Sequence, residues 1–336
     1  MIWTPFLLIA SWLLTGCYAP LAKRLGLLDH PNHRSAHVVI KPRGAGVVFI
    51  ALWCLFAGVA AVTQLITWHE FLLFIPATLL ISSVSYLDDW LSLRARTRFA
   101  VQLLAAILLI SLLYPHLQLD FGFIKLTAGY LVIPITLFSI LWSTNLYNFM
   151  DGSDGVAGVE ALFVFGIGAG MLFFAGANGL AILALALCAV ILGFLRWNWP
   201  DSKVFMGDVG STALGFLVAA FALAGQSYGI PLTLWLILYG IFWFDATVTL
   251  LTRVIRKEKW YEPHKSHAYQ RLQQNGLSHS QVLWAMIALN STLACTACVC
   301  YWHRAWLIYG LMETIILLAV SYFVCKKSGE EKQPYN

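Results

Sequence analysis

Apolar positions along this chain come in long unbroken blocks, without the two-residue alternation of a half-buried strand. Eleven blocks stand out, near residues 3–22, 45–67, 70–87, 99–115, 129–144, 158–176, 179–195, 211–226, 230–252, 281–302 and 304–325. Apolar runs of about 17 to 25 residues cross a hydrocarbon core of about 30 Å as helices, and no ten-residue alternating segments suggest a barrel. The pattern predicts an all-α fold, a polytopic membrane helical bundle of about 11 transmembrane helices (10–11). Residues 1–325 read as a single integral-membrane domain and residues 326–336 as a short cytoplasmic tail, with no internal repeat or linker.

Composition supports this and excludes an ordinary soluble domain: 60% of the 336 residues are hydrophobic and only 11% are charged, against a soluble norm of about 25% charged. The seven cysteines all lie in or at the ends of apolar blocks, where they read as small hydrophobes. The C-x-x-C spacing of Cys295 and Cys298 has no companion pair or His at zinc-ligand spacing. Leu14-Thr-Gly-Cys17 resembles a lipoprotein cleavage box, but no Lys or Arg precedes it, so residues 3–22 are expected to be a retained first span.

Charge then orients the bundle. If the spans alternate, the connections at 23–44, 88–98, 145–157, 196–210 and 253–280 and the tail share one face, which carries 19 of the chain's 21 Lys and Arg residues. Basic loops stay on the cytoplasmic side, so the N-terminus is expected outside and these loops inside. No nucleic-acid partner is implied, because the basic residues read as topology determinants. Asp88, Asp89, Asp151, Asp154, Asp201 and Asp208 lie in or beside the same connections, although aspartate contributes little to orientation.

The candidate chemistry is on that face. Ser85-Tyr-Leu-Asp-Asp-Trp90 closes the third block with adjacent carboxylates that diverge by about 100° on a helix, so Asp88 and Asp89 should do different jobs. In a structural role, one of them can cap the next segment and pair with Arg94, Arg96 or Arg98. Asn145, Asn148, Asp151 and Asp154 recur every three residues and would line one side of a near-helical path, an oxygen-rich face suited to a hard cation or a sugar. Met206-Gly-Asp-Val-Gly-Ser-Thr212 puts Asp208 where a helix opens toward an anion. Acids gathered from three loops raise one another's pKa unless a cation neutralises them, and Mg²⁺ is the natural candidate, with Mn²⁺ as the alternative. Two further patches complete the face: Asp29-His-Pro-Asn-His-Arg-Ser-Ala-His37 with Lys41-Pro-Arg43-Gly, and Pro263-His-Lys-Ser-His-Ala-Tyr-Gln-Arg271. Zinc is disfavoured for the histidines because the loop has no thiolate.

Together these motifs resemble those of the polyprenyl-phosphate N-acetylhexosamine-1-phosphate transferases, over nearly the whole chain. The resemblance rests on Asp29-x-Pro31-Asn32-x-Arg34-x-x-His37 with Pro42-Arg43-Gly44-x-Gly46, on Asp88-Asp89, on Asn145-x-x-Asn148-x-x-Asp151-Gly-x-Asp154-Gly, on Gly207-Asp208-x-Gly-Ser211, and on His264-x-x-His267. The family's frequent third acid after the first Asp pair is Ser92 here, and the final His motif looks closest to O-antigen initiating enzymes. The resemblance implies transfer of a sugar 1-phosphate from a UDP-N-acetylhexosamine to undecaprenyl phosphate in a bacterial inner membrane. It further implies catalytic roles for Asp88, Asp89, Asp151, Asp154 and Asp208, with Asp208, Asp151 and Asn148 as metal ligands. Asn32, Arg34, His37, Arg43, Asn145, Asn148, His264, His267 and Arg271 would bind substrate. A homodimer and the lipid bilayer are the other expected partners.

Two rivals compete. A transporter would carry mid-span ionisable residues, broken helices and repeat symmetry, whereas Asp245 and Glu313 are the acids read as lying well inside spans. An intramembrane aspartyl protease would need Gly at position 205, which is Phe.

Overall fold

The computed structural model describes residues 3–31, 39–127, 129, 131–259 and 265–330, and these form an all-α bundle. Its helices are α1 (Trp3–Arg24), α2 (Gly46–Val62), α3 (Trp68–Leu91), α4 (Ala95–Leu113), α5 (Val132–Met150), α6 (Val156–Phe174), α7 (Asn178–Asn198), α8 (Asp208–Gly225), α9 (Leu232–Leu238), α10 (Gly240–Ile255), α11 (Ala268–Gln274), α12 (His279–Trp302) and α13 (Leu307–Glu330). Each of the eleven apolar blocks lies on one of these helices or, for 230–252, on the pair α9–α10. Eight helices among the described residues are long and apolar enough to cross a membrane, or nine if that pair counts as one span. The pair is bent by 79°, a break that the uniform apolar run 230–252 concealed.

Local signals set the ends that matter. Thr67 caps α3, accepting the Glu70 N–H at 3.1 Å while Glu70 accepts the Thr67 N–H at 2.7 Å, and Ser278 with Gln281 does the same for α12. Ser92 takes a left-handed conformation (φ 47°) that stops α3 just after Asp88 and Asp89. Two short hairpins, Leu28–Asp29 with Lys41–Pro42 and Leu119–Asp120 with Lys125–Leu126, are the strands of the described residues.

Helix α8 is the centre of the bundle. It packs against α3 and α5 and is buried along almost its whole length, whereas most residues of α4 and α13 are only half-buried or exposed. Phe74, Phe165 and Phe221 interlock α3, α6 and α8, and Phe49 meets Phe194 between α2 and α7. Of the two acids read as lying inside spans, Asp245 is buried and Glu313 is exposed on α13; a further buried acid, Glu160 of α6, accepts a hydrogen bond from Asn290 Nδ2 of α12 at 2.8 Å.

The first turns of α2 and α8 touch backbone to backbone. A Cβ on Gly46 would lie 2.5 Å from both Cα and N of Gly210, with no flexible side chain to yield. Gly46→Ala is therefore expected to destabilise the protein by about 1–3 kcal/mol, the range for overpacking a close-packed core. Thermal unfolding in detergent measures this, and an unchanged midpoint would show that the two helix ends are not tightly apposed.

Candidate active site

The candidate site is built on a backbone staple between two loops that lie 160 residues apart in sequence. The Leu28–Asp29 hairpin presents Pro42, whose carbonyl accepts the Phe205 N–H at 2.8 Å; the Ala45 and Gly46 N–H groups then donate to Phe205 and Met206 carbonyls at 3.1 and 2.8 Å. Such close pairing needs glycine at the turns. Gly44 (φ 84°) and Gly207 (φ 75°) are both left-handed, and a Cβ on Gly207 would lie 2.7 Å from the Gly44 nitrogen. The Pro42-Arg43-Gly44 and Gly207-Asp208 motifs are thus two halves of one structure, and it delivers Asp208 to the first position of α8.

Around it, the ends of α3, α5 and α8 converge. Asp88 uses both carboxylate oxygens: Oδ1 accepts the Leu93 N–H at 2.6 Å and Oδ2 accepts Arg98 Nη1 at 2.8 Å. The same guanidinium lies 3.7 Å from Asp208 Oδ2, so Arg98 is shared between acids from separate loops. Asn148 Nδ2 reaches Asp208 Oδ2 at 3.4 Å, while its Oδ1 accepts the Ser211 hydroxyl at 2.6 Å. Arg43 holds Asp89 through a 2.6 Å bond to its main-chain carbonyl and a 3.6 Å ion pair to Oδ1. Ser85 and Thr212 hydroxyls, 2.9 Å apart, tie α3 to α8 beneath this group.

The cluster carries more negative charge than its arginines balance. Asp151, the residue that ends α5, has its carboxyl pushed up to about 7 by burial first and then by the charges of Asp208, Asp89 and Asp154. Asp89 Oδ2 is buried with no hydrogen-bond partner among the described residues. Among those residues no three His, Cys, Asp or Glu side chains form a ready-made metal cage. This donor set fits a hard cation bound by one or two carboxylates, completed by an amide and by substrate phosphates. Asn148 Oδ1 keeps a second lone pair beyond the one given to Ser211.

The three-residue series does not stay on one side. Helix α5 stops at Met150 and Asp151 has non-helical geometry (φ −83°, ψ 55°), so the chain turns away there. Asn145 faces α4, giving its amide to Gln102 Oε1 and the Leu141 carbonyl, both at 2.8 Å. Asp154 accepts Ser202 Oγ at 2.8 Å and Ser202 N–H at 3.2 Å, and lies 3.6 Å from Lys41 Nζ and 3.9 Å from His279 Nδ1. It fastens four loops together rather than meeting Asp88, although its charge is felt at Asp151. Arg271 donates to the Ser266 carbonyl at 2.8 Å and lies over the Tyr322 ring. His267 is buried beside Asp245 of α10. Asn32, Arg34, His37 and His264 lie outside the described residues.

Known proteins resemble this chain over most of its length. Residues 71–226 match the model of glycosyl transferase family 4, which spans Asp88, Asp89, Asn148, Asp151, Asp154 and Asp208. Over 96% of its length the chain is 28% identical to a Bacillus subtilis (strain 168) protein named as a probable undecaprenyl-phosphate N-acetylglucosaminyl 1-phosphate transferase, covering 90% of that protein. An Escherichia coli (strain K12) undecaprenyl-phosphate alpha-N-acetylglucosaminyl 1-phosphate transferase is 28% identical over 89% of the chain and 83% of its own length. A Mycobacterium tuberculosis (strain H37Rv) decaprenyl-phosphate N-acetylglucosaminephosphotransferase is 29% identical over 82% and 76%. The family model and these relatives support the polyprenyl-phosphate N-acetylhexosamine-1-phosphate transferase family for this chain.

The residues that sequence reasoning undervalued are Arg98, Ser202 and Asp245. Arg98 was legible as one of three arginines able to pair with the first Asp pair, but not as a bridge to Asp208, since that contact spans 110 positions. Ser202 sits in the same connection as Asp208 but ahead of the Met206–Thr212 motif. Asp245 had a signal, an acid inside an apolar run, which marks a functional or structural need by default.

Proposed function

We propose that this multi-pass membrane transferase moves an N-acetylhexosamine 1-phosphate from its UDP derivative to undecaprenyl phosphate, yielding the undecaprenyl-diphosphate sugar and UMP. It would thereby start an O-antigen or other cell-envelope polysaccharide at the cytoplasmic face of a bacterial inner membrane. The observation that carries this reading is the cluster of Asp88, Asp89, Asp151 and Asp208 interleaved with Arg43 and Arg98 at one end of the bundle. Carboxylates mixed with guanidinium groups suit two phosphate-bearing substrates that meet where a membrane span reaches water.

In the proposed reaction an oxygen of the lipid phosphate forms a bond to the sugar-linked phosphorus, and the bond from that phosphorus to the bridging oxygen of UMP breaks. A phosphate monoester has its second pKa near 6, so the nucleophile is largely ionised at neutral pH and needs little help from a base. Positioning and charge stabilisation are then the protein's main contributions. Mg²⁺, or Mn²⁺, held by Asp208, Asp151 and Asn148 would neutralise the diphosphate. Arg98, oriented by Asp88 and by the Leu93 turn, meets the lipid phosphate, and Arg43 fixes the end of α3 so that Asp89 faces the same space. His267 and Arg271, with Asn32, Arg34, His37 and His264 beyond the described residues, bind sugar and phosphate; Asp154 and Asn145 act by holding the loop between α5 and α6.

The test is incubation of purified protein with undecaprenyl phosphate, Mg²⁺ and a panel of UDP-N-acetylhexosamines. One sugar is expected to give UMP and lipid-linked sugar in equal amounts, with loss of both on chelation and recovery on adding Mg²⁺. Neither product across the panel would overturn the reading. The transporter alternative shares one expected feature, the broken pair α9–α10, but the curated relatives described above are all named as transferases.

A further inference from the structure

Asp245 sits in α10 within the bundle, 5% exposed, and the reaction above makes no use of it. Its carboxylate is fully engaged. Oδ2 accepts the Ala268 N–H, the first of α11, at 2.9 Å; Oδ1 accepts the Thr249 hydroxyl at 2.9 Å and lies 3.3 Å from His267 Nδ1. Thr249 is in turn 3.3 Å from the Tyr322 hydroxyl of α13. One acid in α10, the second half of the bent α9–α10 pair, therefore grips the residue before α11 and the first residue of α11 at once.

Helix α11 touches the loop that carries Asp151. Gly152 leaves room for the Tyr269 hydroxyl, which a Cβ there would strike, and Gln273 Nε2 donates to Ser153 Oγ at 2.5 Å. The His267 and Tyr269 rings stack at 6.0 Å, so displacing one disturbs the other. A carboxylate on Nδ1 also selects the tautomer with its proton on that nitrogen and fixes the ring plane, as carboxylate partners of functional histidines do elsewhere.

We propose that Asp245 is a positioning residue for the transfer reaction: it locks His267 and the start of α11 against the Asp151–Ser153 loop. The inference rests on the transferase reading. A protein with Asp245 replaced would still hold the acid cluster but would present the final loop in many orientations. Neutral asparagine can accept the Ala268 N–H, yet its amide then offers a donor, not an acceptor, to His267 or Thr249.

Asp245→Asn is expected to lower kcat/KM by about 10- to 100-fold, the range for removing a partner that orients a functional histidine. Asp245→Glu should recover most of the loss, because a cavity of about 480 Å³ bordered by Asp245, Tyr269 and Tyr322 gives room for one more methylene. In a double-mutant cycle, Asp245→Asn should cost little further once His267→Gln is present. Modification of His267 by diethyl pyrocarbonate, followed by peptide mass spectrometry, should be faster in Asp245→Asn whatever the activity. Additive losses in the cycle, or an unchanged modification rate, would overturn the proposal. Should Asp245→Asn not fold, Ala268→Pro deletes the N–H that Asp245 accepts at a position where proline suits a helix, and His267 already has the extended geometry (ψ 151°) that a following proline requires. A tenfold loss in that variant supports the proposal and wild-type kcat/KM refutes it. An inactive wild-type protein would instead count against the transferase reading, so the two failures remain distinct.

Discussion

Replacing Asp208 by asparagine is expected to lower kcat by about 10²- to 10³-fold, the cost of removing one preorganised charged group from a site that stabilises developing charge. The physical case is that Asp208 is the point where the separate elements meet. Its carboxylate faces Arg98 from the first turn of α4 and Asn148 from α5, and its side chain is 34% exposed where that of Asp89 is 3% exposed. A carboxylate that is both accessible and flanked by an amide is the one best placed to share a cation with a phosphate. Asparagine keeps the size and the helix-opening position, so the fold should survive and the loss should appear in turnover. The Mg²⁺ dependence should flatten at the same time. Activity and Mg²⁺ dependence both near wild type would remove Asp208 from the metal role.

Arg98→Gln should produce a different signature, because Arg98 opposes the cation that Asp208 is proposed to hold. Arg98 supplies positive charge to Asp88 at 2.8 Å and to Asp208 at 3.7 Å. Removing it makes the acid cluster more negative, which favours a divalent ion and disfavours anionic substrates. The half-saturating Mg²⁺ concentration is therefore expected to fall while KM for both substrates rises, with kcat/KM reduced about 10- to 100-fold as for loss of an orienting partner. The side chain is 40% exposed, so water screens part of the interaction and the effect should stay below that of Asp208→Asn. Steady-state kinetics at graded Mg²⁺ separates the two trends; if Mg²⁺ and lipid-phosphate dependence both stay unchanged, Arg98 is a purely structural partner of Asp88.

Much of this was readable from the chain, for reasons that can be named. Long apolar blocks mark helices because backbone polar groups in hydrocarbon must be satisfied within the segment. Acids at the ends of blocks marked the cluster because charge is tolerated there and not farther in. The failures share a cause as well. Asn145 and Asp154 were grouped with Asn148 and Asp151 by a three-residue spacing, but spacing predicts a shared face only while the helix continues, and α5 ends at Met150. The partners that decided where they face, Gln102 and Ser202, are remote in sequence and carry no motif. The α9–α10 break was likewise invisible, since both halves are apolar and the residues that bend there, Tyr239 and Gly240, form no proline kink. Asp245 could be noticed but not interpreted until α11 was seen beside it.

The sharing of Arg98 also bears on how the protein comes to be assembled. Asp88 and Arg98 are ten residues apart and pair across the turn between α3 and α4, so this ion pair can close as soon as that hairpin has left the ribosome and entered the bilayer. The second acid arrives only with α8, after roughly a hundred further residues, and it joins a cation that is already in place. Asp88 thus need not wait unneutralised at the membrane surface for its eventual acidic neighbours. The order of synthesis converts a local pair into a three-group clamp without passing through a stage in which that carboxylate is stranded.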